Sequence, residues 1–387
     1  GADVESLGVV PTPAVAYLVR KYNADAGVVI SASHNPMEFN GIKIFAGTGY
    51  KLPDEVENEI EAYIDNQCAG LKLATGGDVG RVTCRTDGIK DYTDHLYESI
   101  DGDLSGLNIC IDCANGASAA AARQLFPRLG AKCTFIGVEP DGKNINAGVG
   151  STHLDNLEKA VVEGGFDCGI AFDGDADRCL AVDELGNLID GDQIMAACGL
   201  DMLHKGKLSG ETVVATVMSN LGLHRFVKEH GMKLECTNVG DRNVLEKMLE
   251  CGYAIGGEQS GHTIFREYAT TGDGELTALQ FLQALRRSGK RASELASCCP
   301  QYPQELINVA VSHVPGVKDA IMQDPTLRHA IAQMEQELAG KGRVLIRPSG
   351  TEALIRVMVE AKTTEVARKV AEDLADLIKI LSEKIQF

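Results

Sequence analysis

Basic residues are scarce relative to acidic ones: 37 Lys and Arg stand against 55 Asp and Glu, a net charge of −18. Nucleic acids and anionic lipids are gripped through basic patches, so this balance argues against either as a partner. Long apolar runs are lacking as well. No stretch approaches the roughly 18 consecutive apolar residues of a membrane-spanning helix. Residues 1–7 are acidic and lack the basic-then-apolar order of a secretory signal. Cysteine is thinly spread, 12 in 387 residues, which excludes a disulfide framework. Cys110, Cys168 and Cys179 fall inside apolar runs, as buried thiols in a reducing cytoplasm do. Cys110 and Cys113 form a Cys-x-x-Cys, but no second pair follows at zinc spacing.

What is present reads as a globular chain of several domains, with 44% hydrophobic and 24% charged residues over 387 positions. Ala26-Gly-Val-Val-Ile30 suits a strand buried on both faces, and Gly41-Ile-Lys-Ile-Phe45 a second strand with Lys43 opposite Ile42 and Ile44. Further strands are expected at 107–111, 166–172, 179–182 and 212–217, with helices near 53–66, 88–100, 117–129, 154–163, 191–204, 221–230 and 273–288. After Cys299-Pro300 the pattern changes to strands near 307–311, 343–347 and 353–360 and helices at 325–339 and 363–385. The reading is a series of α/β units over 1–101, 102–186 and 187–300, then a smaller α+β domain over 301–387. Sites in open α/β sheets form where loops leave the carboxyl ends of strands.

Four such loops carry chemistry. Ser31-Ala-Ser-His-Asn-Pro36 offers two hydroxyls and an imidazole beyond a strand, either as a polar turn or as the site of a nucleophilic, phosphate-carrying serine. Lys43, otherwise simply solvated, suits a charge clamp or proton carrier beside a phosphate. Asp173-Gly-Asp-Ala-Asp-Arg178 brings three carboxylates into one short loop, where they repel unless a cation joins them. All-oxygen ligation favours a hard ion, and Mg²⁺ leaves room for a phosphate oxygen. An EF-hand is excluded because Arg178 occupies the position that must be Gly. A haloacid-dehalogenase-type phosphatase, with Asp173 as nucleophile, is disfavoured by Ala176-Asp177 where Thr or Val is usual. In Gly256-Gly-Glu-Gln-Ser-Gly-His262, Glu258 and Ser260 would face the same way in an extended segment and suit vicinal sugar hydroxyls; a glycine-rich turn is the plainer reading. His262 alone is more often structural. Arg347-Pro-Ser-Gly-Thr351, with Arg356 close by, matches a phosphate dianion.

These motifs, in this order, resemble the α-D-phosphohexomutases, and the resemblance covers essentially the whole chain. Gly257-Glu-Gln-Ser-Gly261, Val239-Gly-Asp-Arg242 and Thr270-Thr-Gly-Asp-Gly274 look most like the phosphoglucosamine mutase branch. Phosphomannomutase/phosphoglucomutase relatives tend to carry Met between the Glu and Ser. The resemblance implies three related α/β domains with mixed sheets and a TATA-binding-protein-like fourth domain around a central cleft. It implies that Ser33 is the phosphoserine, flanked by His34, and that Asp173, Asp175 and Asp177 bind Mg²⁺ with the Ser33 phosphate. Lys43 is then a general acid/base, and Arg178 sits beside the phosphoserine. Glu258, Ser260 and His262 hold the sugar, while Arg347, Ser349, Gly350, Thr351 and Arg356 anchor the non-reacting phosphate. The implied reaction interconverts glucosamine 6-phosphate and glucosamine 1-phosphate, primed by glucosamine 1,6-bisphosphate or another bisphosphate. The implied partner is a small sugar phosphate in the bacterial cytoplasm, with a homodimer left open. The family normally begins with a segment containing Phe-Gly-Thr-Asp-Gly-Ile-Arg-Gly, absent here, so a first strand and an arginine near the phosphoserine are expected to be missing, and with them some or all turnover. Ala353 stands where proline is usual, and Val149 where cysteine is common.

Overall fold

Short apolar runs become strands, and the amphipathic stretches between them helices, across residues 1–338, 340–350 and 352–384, the part of the chain that the computed structural model describes. The chain divides into two units, Gly1–Ser219 with Phe226–Cys299, and Asn220–Arg225 with Pro300–Phe387.

The first unit opens with β1 (Val4–Ser6), α1 (Thr12–Lys21), β2 (Ala26–Ile30), β3 (Ile42–Ala46), α2 (Asp54–Asp65), β4 (Val82–Cys84) and α3 (Gly88–Tyr97). β1 pairs with β4 in parallel and β2 with β3 antiparallel. Pro11 and Pro13 bracket the first turn of α1, where a missing N–H costs nothing. Ala14, Val15, Leu18 and Val19 form its buried face. That face lies on β2 at Gly27, where an added Cβ would meet Val15 at 2.8 Å. The strand expected to be covered on both faces is covered on one: Val29 and Phe45 face α1, whereas Val28 is 58% and Ile30 72% exposed. β2 pairs only with β3, and no second helix packs on the other side of this ribbon among the described residues.

β5 (Asn108–Asp112), α4 (Ser118–Arg128), β6 (Lys132–Ile136), α5 (Asp155–Gly164), β7 (Cys168–Phe172), β8 (Cys179–Asp183) and β9 (Leu188–Ile189) follow. They build a mixed sheet in the order β6-β5-β7-β8-β9, parallel through β7 and antiparallel beyond it. β7 and β8 are buried throughout, which explains their unbroken apolar runs. The third set is α6 (Gly191–His204), β10 (Thr212–Thr216), α7 (Leu221–Glu229), β11 (Lys233–Thr237), α8 (Asp241–Cys251), β12 (Ile255–Gly257), β13 (Thr263–Phe265), α9 (Gly274–Ser288) and α10 (Ala292–Ala296). Its sheet, β11-β10-β12-β13, repeats the scheme: parallel pairs, then one antiparallel strand. Asp190 caps α6 in a capping box with Gln193, and Asp273 caps α9 through Leu276 N.

In the second unit β14 (Gln304–Ala310), β15 (Arg343–Pro348) and β16 (Leu354–Glu360) form an antiparallel sheet in the order β14-β16-β15. With them are α11 (Val317–Gln323), α12 (Pro325–Leu338) and α13 (Thr364–Lys384). Ala367, Val370, Ala371, Leu374, Ala375, Ile378 and Leu381 of α13 recur every three or four residues and enter one core with Ile355, Val357 and Val359. The fully buried Glu360 is satisfied there by Arg343 at 2.7 and 3.2 Å and by Leu221 N–H at 2.8 Å.

Candidate active site

The antiparallel step from β7 to β8 requires a tight reversal, and Asp173–Arg178 supplies it. Ala176 N–H closes onto Asp173 O at 3.0 Å, and Ala176 itself takes φ 58°. Asp173, Asp175 and Asp177 are 1%, 3% and 5% exposed, and each offers an oxygen within 4.8 Å of the others. Asp175 Oδ1 and Asp177 Oδ1 are buried without hydrogen-bond partners. Clustered carboxylates whose lone pairs no hydrogen bond meets fit a hard divalent cation, Mg²⁺ above all.

Ser33 meets this loop. The segment 31–41 joins β2 to β3, and Ser31 N–H donates to Gly41 O at 3.0 Å across its base. Ser33 adopts φ 54°, a left-handed conformation that costs a non-glycine residue roughly 1 kcal/mol or more. Ser31 Oγ steadies it by accepting Ser33 N–H at 2.9 Å. Ser33 Oγ donates to Asp173 Oδ2 at 2.6 Å. Lys43 lies opposite Ile42 and Ile44 as its alternation required, on the face of β3 that α1 covers, and places Nζ 2.5 Å from Asp175 Oδ2 and 2.9 Å from Asp177 Oδ2. Arg178 N–H donates to Asp173 Oδ1 at 3.2 Å, while Arg178 Nε and His34 Nδ1 are buried without hydrogen bonds, Arg178 Nε lying 3.9 Å from Asp177 Oδ1.

Burial, together with Asp177 and Asp175, pushes the Asp173 carboxyl up to about 8. Burial would raise Asp177 too, but His262 and Lys43 outweigh it and hold that carboxylate ionised. Burial works against the charge of Lys43, and Asp177 and Asp175 overcome it, keeping the ammonium protonated. His34 is lowered by burial and then by Arg178.

Glu258 and Ser260 do not lie in an extended segment. The loop between β12 and β13 is a turn: Gly261 N–H donates to Glu258 O at 3.0 Å and Glu258 N–H to His262 O at 2.9 Å. The two side chains are therefore oriented by the turn rather than by strand alternation. Glu258 Oε1 accepts Gly240 N–H at 3.1 Å, Ser260 is exposed, and Gln259 donates to Asp190 at 2.9 Å. Gly261 O accepts Cys179 N–H at 3.0 Å, tying this turn to the strand that follows the aspartates. His262 is buried. Its Nε2 accepts Gly272 N–H at 3.1 Å, so the ring proton sits on Nδ1, 3.5 Å from Asp177 Oδ1. His262 thus backs the carboxylate loop.

In the second unit, Arg347 and Arg356 are directly paired across β15 and β16, like charges opposite each other. Burial and Arg356 lower the Arg347 pKa. Ser349 is 4% exposed and accepts Glu352 N–H at 3.2 Å; Arg356 reaches Glu352 at 3.2 Å. No carboxylate pairs with Arg347 among the described residues. Gly350 has open space about it, and Thr351 lies outside the described residues.

Sequence reasoning missed three residues here. Thr12 Oγ1 donates to Asp175 Oδ2 at 2.7 Å and its N–H to Asp175 O at 2.9 Å, and neither Thr12 nor the helix it opens was picked out in the sequence. Asp241, within a motif read solely as a branch marker, pairs with Lys51 and lies 3.6 Å from His262 Nε2. Asn146 hydrogen-bonds the backbone of the serine turn and left no sequence signal. The Cys110 and Cys113 thiols are free and buried, and burial raises both pKa values.

Four phosphoglucomutase/phosphomannomutase domain families match in order: alpha/beta/alpha domain I over residues 1–69, domain II over 90–186, domain III over 190–302 and the C-terminal domain over 306–377. A phosphoglucosamine mutase from Caldanaerobacter subterraneus subsp. tengcongensis is 54% identical over 379 residues, 98% of this chain and 84% of that protein. Among solved structures, a phosphoglucomutase/phosphomannomutase family protein from Burkholderia thailandensis matches with TM-score 0.80 at 21% identity, covering 100% of this chain and 84% of the other. Aspergillus fumigatus N-acetylphosphoglucosamine mutase, in complex with GlcNAc-6P and magnesium, matches with TM-score 0.73 at 19% identity, covering 96% and 92%. At such identities the structural likeness speaks for the fold.

Proposed function

Since the chain belongs to the phosphoglucomutase/phosphomannomutase family, we propose that it interconverts glucosamine 6-phosphate and glucosamine 1-phosphate through a phosphoserine at Ser33 and a bound 1,6-bisphosphate. The observation that carries this reading is the 2.6 Å contact of Ser33 Oγ with Asp173 inside a three-carboxylate cluster. Asp173, Asp175 and Asp177 are the residues to hold Mg²⁺. When bound, that ion neutralises charge on the transferring phosphoryl group.

Phosphoryl transfer demands in-line placement and charge neutralisation more than covalent chemistry. Ser33 carries the phosphoryl group and gives it to a sugar hydroxyl; its Oγ leaves as the P–O bond to the sugar forms. Lys43 is held protonated, so it clamps the phosphoryl oxygens and exchanges a proton with the sugar hydroxyl or Ser33 Oγ. His34 Nδ1 and Arg178 Nε, buried and without hydrogen bonds, are donors toward the same group. Glu258 and the exposed Ser260 suit sugar hydroxyls. Arg347, Ser349, Gly350 and Arg356 suit the phosphate that does not react, since two opposed arginines without a carboxylate on Arg347 attract a dianion. The sugar then turns end for end, and its other phosphate returns to Ser33. An aspartyl-phosphate mechanism at Asp173 is disfavoured, because Ala176-Asp177 stands where Thr or Val is usual for it and the four domain families that match are those of the phosphoglucomutases and phosphomannomutases.

No helix among the described residues is long and apolar enough to cross a membrane. Twelve free thiols and the net charge suit an enzyme of small sugar phosphates in the bacterial cytoplasm. A coupled assay with glucosamine, glucose and mannose phosphates and a bisphosphate primer tests the reading. Glucosamine phosphate should show the highest kcat/KM. Ser33→Ala should abolish turnover while sugar phosphate still binds, and substantial residual mutase activity in that variant sinks the proposal.

A further inference from the structure

Asn146 sits between β6 and α5, 4% exposed, and its side-chain amide reaches a segment more than a hundred positions away. Nδ2 donates to Ser33 O and to Asn35 O, both at 2.9 Å. A primary amide has two N–H groups, and both are used, one on either side of His34. The reverse orientation would press Oδ1 against two carbonyl oxygens, so the acceptors fix which way the amide points. Oδ1 is buried without a partner. An amide that leaves its own oxygen unsatisfied while spending both hydrogens on one turn is placed for that turn.

Its support is rigid. Asn146 N–H donates to Ala114 O at 2.9 Å. Ala114 N–H and Gly150 N–H are held by the two oxygens of buried Asp112, at 2.9 and 2.8 Å. Against the other side lies Gly174, between two of the aspartates. A Cβ there would come 2.7 Å from Ser33 O and 2.8 Å from Asn146 Nδ2. The serine turn, the amide and the carboxylate loop are therefore in direct contact. Ser33 holds a left-handed backbone that persists only where its surroundings over-determine it.

We infer that Asn146 is a positioning residue for phosphoryl transfer: its amide pins the turn at 33–35 so that Ser33 Oγ is presented to Asp173. The inference rests on the phosphoserine reading of Ser33. Asn146→Asp keeps the shape but replaces the donor with oxygen, and Asn146→Ala removes the amide. For both, kcat and KM for glucosamine 1-phosphate, the rate at which glucose 1,6-bisphosphate phosphorylates Ser33 (by intact mass), and Tm are measured. The expected result is a kcat and a Ser33 phosphorylation rate lower by roughly 10- to 100-fold, with KM within about twofold and Tm little changed. Wild-type kcat in both variants overturns the inference. So does a fall in kcat matched by collapse of Tm and of sugar-phosphate binding, which marks a structural role only. Ser33→Ala run in parallel separates the two claims. Full activity there removes the phosphoserine reading itself, whereas a dead Ser33→Ala beside an active Asn146→Asp removes only the role of Asn146.

Discussion

Lys43 Nζ lies 2.5 Å from Asp175 Oδ2, closer than to any other carboxylate, with Asp177 at 2.9 Å. One ammonium offsets two of the three acids that form the cation cluster. Lys43 and a divalent ion therefore draw on the same two carboxylates, Lys43 through their Oδ2 atoms.

Lys43→Ala should lower kcat by about 10²- to 10⁴-fold, the usual worth of a positioned proton carrier. The same variant should bind Mg²⁺ more tightly, because a competing cation is gone. Titration calorimetry with the metal checks this; weaker Mg²⁺ binding in the variant would contradict shared use of the carboxylates.

Metal binding should depend on pH through Asp173. Its carboxyl is raised to about 8, so in the metal-free protein the acid form is favoured. The stability this lends is complete below the ordinary value of 3.8 and is lost as pH rises through about 8. A cation must displace that proton, so Mg²⁺ affinity should climb by up to about tenfold per pH unit on the way to pH 8 and then level off. Affinities from pH 6 to 9 test it, and a flat profile would count against Asp173 as a ligand.

Glu275 and Asp273 form a buried acidic pair behind the carboxylate loop, where Gly274 N–H donates to Ala176 O at 2.9 Å. Both oxygens of Glu275 lack hydrogen-bond partners, and burial, then Asp273, raises its pKa. Asp273 is pushed up to about 7 by burial, against hydrogen bonds from Leu276 N–H and Tyr92. Raised acids contribute stability that is full below their ordinary values of 3.8 and 4.5 and is lost as pH rises toward and past 7, at up to about 1.4 kcal/mol per pH unit for each group. Glu275→Gln should therefore raise Tm at pH 8 and leave it nearly unchanged at pH 4. Parallel melting curves for the two proteins across this range would refute the assignment.

Arg347→Ala should raise KM for sugar phosphate by roughly 10- to 100-fold, the worth of one or two charge-assisted hydrogen bonds. Tm should hold or rise slightly, since removing Arg347 relieves its cross-strand repulsion from Arg356. A lower Tm with unchanged KM would make Arg347 a structural residue.

Much of the frame was legible in the residues. Apolar runs marked β2, β7, β8 and β10 because buried strands need side chains without polar atoms. The period-2 pattern set Lys43 opposite Ile42 and Ile44, and the fold decided that the lysine's face is the covered one while Ile42 stays 67% exposed. The carboxylate cluster was legible because its three acids share one short loop, so their convergence is a local matter. Burial on both faces of β2 was expected from composition and did not hold: a run of valine and isoleucine states a preference for cover, and whether a layer supplies it depends on other segments. The extended reading of Glu258 and Ser260 failed for a similar reason, since hydrogen bonds between positions 258, 261 and 262 close that stretch into a turn.

By itself, then, the order of residues determined the longer helices and the most apolar strands, the family and the acids able to gather around a cation, since each depends on near neighbours or on motifs in register. The family resemblance brought Ser33 to the carboxylate loop, but only the folded chain decided that its Oγ donates to Asp173 Oδ2, that Thr12 braces Asp175 and that Asn146 spans the serine turn. Those contacts join residues over a hundred positions apart, and such separations are bridged by the packing of sheets and helices, which no local pattern encodes.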